Sequence, residues 1–174
     1  MKKKPPEVDQ LSAEIQQVFD ALNEQPDLAC VIAGAAFLDA GLESILRAHF
    51  RSHRIGNNLL RPDGPLGSFA ARADLAYCLG LASKDHYEDL RRIAEIRNAF
   101  AHNHLQLTFG DARVQEMCSN LREWRTIGWN DAAEDSGPTV RRIAARNKFA
   151  LSAALISQRL LLTALGENRR NVER

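Results

Sequence analysis

Apolar residues recur three and four positions apart along most of this chain, a pattern that predicts helices nearly throughout. A first helix is expected from about Val8 to Asn23, with Leu11, Ile15, Val18, Phe19 and Leu22 on one stripe. Pro26-Asp27 opens a second, with Asp27 in the N-cap position. From Leu28 to Leu38 that helix is apolar all round, which marks it as the central one. Asp39, Glu43 and Arg47 follow at spacings of four and share a face. Positions 52–67 read as a loop, because Arg61-Pro62-Asp63-Gly64-Pro65-Leu66-Gly67 is dense in turn formers and cannot stay helical through both prolines. A third helix is expected over about Leu66–Leu81. A fourth starts at Asp85, with Glu88 three residues on as in a capping box, and runs towards His102.

Leu105–Phe109 alternates, but a lone strand has no partner in such a chain, so it reads as an extended connector. A short helix near Ala112–Arg122 precedes a loop over 123–138, which carries both Trp124 and Trp129. Those tryptophans are expected to anchor the loop to the core. From about Thr139 to Leu165 one long helix follows, with Val140, Ala144, Leu151, Ala154, Leu161 and Leu165 on a seam. Beyond Phe149 its opposite face is also rich in Ala and Leu. A helix apolar on two sides is central in a bundle or shared with a second subunit, so a homodimer is expected. The pattern as a whole predicts an all-α, single-domain bundle of about six helices over 1–174, with 1–7 as a disordered basic tail.

Composition narrows the function classes. A chain of 174 residues, 45% hydrophobic, can bury a sizeable core without disulfide or metal staples. Lys and Arg number 23 against 22 Asp and Glu, a net charge of +1, which argues against a large basic face for nucleic acid. The basic start, Met1 to Pro6, has no apolar stretch behind it, so no signal peptide is expected. The run Leu28–Leu38 is shorter than a membrane span. Cys30, Cys78 and Cys118 are scattered and odd in number, as expected of small core residues in a reduced, cytoplasmic protein.

The fourth helix carries the chemistry. Arg97 falls in the middle of its apolar face, so its stem is expected to be buried and its guanidinium paired with Asp39 or Glu43. Asn98 and His102 share the boundary of that face, with Glu95 one turn earlier. An Arg, an amide and a His converging at a helix end suit metal-independent RNA cleavage. The His would move a proton near neutral pH and the Arg would stabilise charge on a phosphoryl group. The plainer account is structural: His102 complements the helix dipole, while Arg97 and Asn98 tie helices together. His49 and His53 have the spacing of a metal pair but lack a third ligand, so no metal is expected. Dinucleotide, phosphate-loop and Ser-His-Asp signatures are missing, so no cofactor is expected, and no pair of short helices reads as helix-turn-helix.

Two resemblances add to this. Gly64-Pro65-Leu66-Gly67, Arg72, Leu75 to Leu81 with Tyr77 and Gly80, Tyr87-Glu88-Asp89, Arg97 and His102 together resemble the mannitol operon repressor family. That resemblance implies an all-helical regulator without an evident DNA-binding motif, acting through a protein partner. Arg97-Asn98-Ala99-Phe100-Ala101-His102 also resembles the Arg-x4-6-His motif of HEPN domains, helical bundles of which many are metal-independent ribonucleases or toxins. That one implies catalytic Arg97 and His102 with Asn98 supporting. The favoured expectation is a cytoplasmic regulator working by protein contact. A HEPN-type endoribonuclease, with RNA as partner, is the alternative.

Overall fold

The computed structural model describes residues 13–102, 107–128 and 137–172, with side chains up to 166. Among these residues lie seven α-helices and a five-residue 3-10 helix, Glu123–Ile127. The α-helices are α1 (Ala13–Asn23), α2 (Asp27–His49), α3 (His53–Leu60), α4 (Phe69–Cys78), α5 (Lys84–His102), α6 (Ala112–Ser119) and α7 (Pro138–Val172). The fold is all-α.

The axis of the bundle is α2 lying along α7. Val31, Leu38, Leu42, Ile45 and Leu46 of α2 are wholly buried, as are Phe149 and Ile156 of α7. Gly34 permits the close approach: a Cβ there would sit 2.8 Å from the Phe149 ring. Around this axis α4 and α5 pack on α2, whereas α1, α6 and the 3-10 helix pack on α7. Phe100, Phe109 and Phe149 link α5 to α7 through tilted rings 5.6 and 5.8 Å apart, a favoured aromatic arrangement. By length and composition alone, Asp27–His49 and Pro138–Gly166 are long and apolar enough to cross a membrane. Here they form the core and face each other.

Several elements differ from the sequence pattern, each for a local reason. Positions 53–60 are helical, not loop: Ser52 accepts a hydrogen bond from the Ile55 N–H, and Gly56 and Leu60 turn inward. The real turn is 61–67, where Gly64 and Gly67 lie so close to the carbonyls of Leu59 and Pro62 that a Cβ would collide with backbone. The third predicted helix is the shorter α4, capped by Ser68 through the Ala71 N–H. Ser83, not Asp85, caps α5, accepting from the His86 N–H. Pro26 holds the N-cap position of α2 and Asp27 makes no cap bond. Its buried carboxylate instead receives the Phe109 N–H at 3.1 Å, Arg142 at 3.0 Å and Arg146 at 2.8 Å. Cys78 is exposed, unlike Cys30 and Cys118. The final helix extends past Leu165 to Val172, and α2 leaves Ile32 and Phe37 about two-fifths exposed rather than burying its whole surface. The expected basic tail and residues 103–106 and 129–136, Trp129 included, lie outside the described residues.

Candidate functional site

The residues that define a site sit where α2, α4 and α5 meet. At its base is Arg72, set between Ala71 and Ala73 on α4. It is 5% exposed. Its Nε and Nη2 donate to the carbonyls of Leu66 (2.8 Å), near the end of the 61–67 turn, and Leu60 (2.9 Å), just before it. Its Nη1 donates to Asp39 Oδ2 at 2.8 Å and lies 3.4 Å from Glu43 Oε2. Glu43 continues to Arg47 at 2.6 Å. One buried guanidinium thus holds an irregular turn against α2, and charge-assisted bonds to carbonyls and carboxylates suit that work.

This corrects the expectation for Arg97. Asp39 and Glu43 do receive an arginine, but it is Arg72. Arg97 is exposed, and among the described residues its guanidinium meets only the Asn98 side chain, at 2.7 Å. A wide apolar face predicted from sequence is in fact narrower: Ile93, Ile96 and Phe100 are buried, and the strip carrying Ala94, Arg97 and Asn98 forms the wall of a groove of about 310 Å³. Ile32 and Asp39 of α2, with Ser68 and Phe69 at the start of α4, line the facing side. Arg97, Asn98 and Asp39 are therefore brought together. Glu43 sits behind them in the Arg72 set, and Glu95 and His102 are exposed but do not line the groove.

Nor does α5 bring Arg97 and His102 to one point. The helix runs unbroken through His102, so residues five apart diverge by about 140° and are separated by about 7.5 Å along the axis. His49 and His53, spaced like a metal pair, are split by the break between α2 and α3 and both are exposed.

The other residues that carried the family resemblance do structural work. Tyr77 and Tyr87 stack at 4.7 Å, and the Tyr87 hydroxyl donates to Asp74 at 2.9 Å, joining α4 to α5. Asp89 is wholly buried and accepts the backbone N–H groups of Arg122 and Glu123, each at 2.8 Å to Oδ2, fixing the 3-10 helix. Burial pushes its carboxyl above the usual range, against those N–H bonds and Arg92. Beside it, Glu123 is 4% exposed and lies 3.3 Å from His86 and 2.5 Å from Arg159. Burial pushes Glu123 up, but the hydrogen bonds and charges of His86 and Arg159 outweigh it and hold the carboxyl below its ordinary value. Trp124 is buried as expected, with Lys148 Nζ 5.0 Å and the Arg125 guanidinium 5.2 Å from its ring. Sequence reasoning missed Arg72 as the hub. Its one sequence signal, a place between Ala71 and Ala73, leaves room for close packing but does not choose it over Arg97.

Fold and groove together define an all-helical bundle with an open polar cleft on one side of its central helix. The chain belongs to the mannitol repressor (MtlR) family, whose model matches residues 14–163. Its fold is similar to that of a chain in the X-ray structure of the MtlR-HPr complex from Escherichia coli. The two agree with a TM-score of 0.68 at 21% identity over 85% of this chain and 98% of that one. No curated protein matches it.

Proposed function

We propose that this protein is a cytoplasmic regulator of hexitol-use genes that acts by contact with a protein partner of the HPr kind. The observation that carries the reading is the family match over 14–163, joined to a fold shared with a chain from the MtlR-HPr complex. A near-neutral net charge of +1 supports a protein partner over a nucleic acid held by a basic face. The ribonuclease alternative gains nothing from the comparisons, and a helix that is regular through His102 holds Arg97 and His102 apart within one chain.

Self-association belongs to the same proposal. Leu161, Leu162 and Leu165 of α7 are each more than half exposed within five residues, and a stripe of that kind suits a two-fold contact between copies. Isothermal titration of the full chain with the HPr-type carrier of its own organism tests the partner. Saturable one-to-one binding in the range of about 1–10 µM is expected. The absence of binding at about 100 µM overturns the reading.

A further inference from the structure

The groups lining the α2–α4–α5 groove differ in what already holds them. Arg72, Arg47, Asp39 and Glu43 form one connected set in which two cations meet two carboxylates. Arg97 stands outside that set, exposed and bonded only to Asn98 among the described residues. The groove therefore carries a surplus positive charge on one wall. On the other wall Asp39 gives Oδ2 to Arg72; its Oδ1 is buried without a hydrogen-bond partner, while the side chain as a whole is 38% exposed. Ser68 accepts from the Ala71 N–H and still has its own proton to donate. Between these polar walls lie Ile32 and Phe69. A cavity of about 310 Å³ is at the small end of ligand sites.

We propose that this groove binds a small polyhydroxylated anion, its charged group on Arg97 and Asn98 and its hydroxyls on Asp39 and Ser68. A phosphate or a carboxylate suits the planar guanidinium fork equally. Neutral hydroxyls, not an ammonium, suit Asp39, because Arg72 already neutralises that carboxylate. A second cation there gains little, whereas a hydroxyl can donate to the part of the carboxylate that lines the groove, where Oδ2 keeps a lone pair beside its bond to Arg72. The carbon chain of such a ligand lies across Ile32 and Phe69. The groove is thus an effector site on a regulator, and the inference leans on the function proposed above only for the choice of probe.

Isothermal titration of the full chain with mannitol 1-phosphate, gluconate, mannitol and inorganic phosphate provides the test. At least one of the two hydroxylated anions is expected to bind about tenfold or more tightly than both mannitol and inorganic phosphate. Which one does so identifies the charged group. Arg97→Ala is expected to weaken that binding about tenfold or more with an unchanged melting temperature, and Asn98→Ala in the same direction. The proposal is overturned if neither anion gives saturable heat up to about 10 mM, if inorganic phosphate binds as well, or if Arg97→Ala binds normally. Parallel titration with the HPr-type carrier separates the two ideas. Carrier binding without anion binding removes the effector site alone, and anion binding without carrier binding removes the partner alone.

Discussion

Replacing Arg72 with alanine is the most informative perturbation of the fold. The guanidinium makes one buried and one part-buried bond to carbonyls, at 2.9 and 2.8 Å, and one ion pair at 2.8 Å to Asp39. Hydrogen bonds to a charged group contribute roughly 1.5 kcal/mol each at the low end. Asp39 is 38% exposed, so losing its partner costs about 1 kcal/mol, not the full penalty of a buried lone charge. Water reaching the loosened 61–67 turn offsets part of this, leaving a loss of about 3 kcal/mol. For a chain of this size that lowers the melting temperature by about 6–12 °C. Arg97→Ala, which among the described residues loses one bond to the exposed Asn98, should stay within about 0.5 kcal/mol of wild type. Circular dichroism melts and urea titrations of both variants provide the assay. If Arg97→Ala proves the more destabilising, or if Arg72→Ala costs under about 1 kcal/mol, the assignment of Arg72 as the hub is wrong.

Arg146 ties the α1–α2 turn to α7, with 2.8 Å to Asp27 and 3.0 Å to the Leu22 and Asn23 carbonyls. Arg146→Ala should therefore destabilise by about 3 kcal/mol in urea unfolding, since Asp27 is buried. Glu123 has a folded pKa held below its unfolded one. The stability it contributes is present above the ordinary carboxylate range and lost as the pH falls through its folded value. Melts across the acid range should show that slope reduced in Glu123→Gln. Gly67→Ala should cost more than about 2 kcal/mol by forcing the turn open against Pro62, read from the same melts. Sedimentation should show a reversible dimer that Leu162→Asp drives to monomer. A wild type monomeric at high micromolar concentration would count against the α7 contact.

Much of this fold is legible in the sequence because it is helical and apolar residues repeat with the helical period. The α2–α7 axis, α5 and α6 stand close to where that periodicity puts them. What the pattern cannot resolve is which of several equivalent polar residues serves a given partner. Asp39 and Glu43 plainly call for an arginine on a neighbouring helix, but Arg97 and Arg72 both qualify until the packing angle of α4 is known. The short α3 was hidden because Gly56, Asn57 and Asn58 have weak helix preference, and its Ser52 cap and two inward residues compensate. Asp27 and Ser83 show the same ambiguity at helix starts, where adjacent capping residues compete and tertiary partners choose between them. For the site, Arg97, Asn98 and Asp39 could be named from the sequence and do line one groove. Their surroundings, open on one wall and neutralised on the other, depend on the contact between three helices and are not a property of any local motif.

Regulation through a protein contact can be decided by one sedimentation-velocity experiment. It contains the full chain, its HPr-type carrier and labelled DNA from the operator region of the regulated operon, each followed at its own wavelength. The carrier is expected to move with the chain, and the DNA to sediment as it does alone. DNA carried down by the chain, with the carrier left behind, would contradict it.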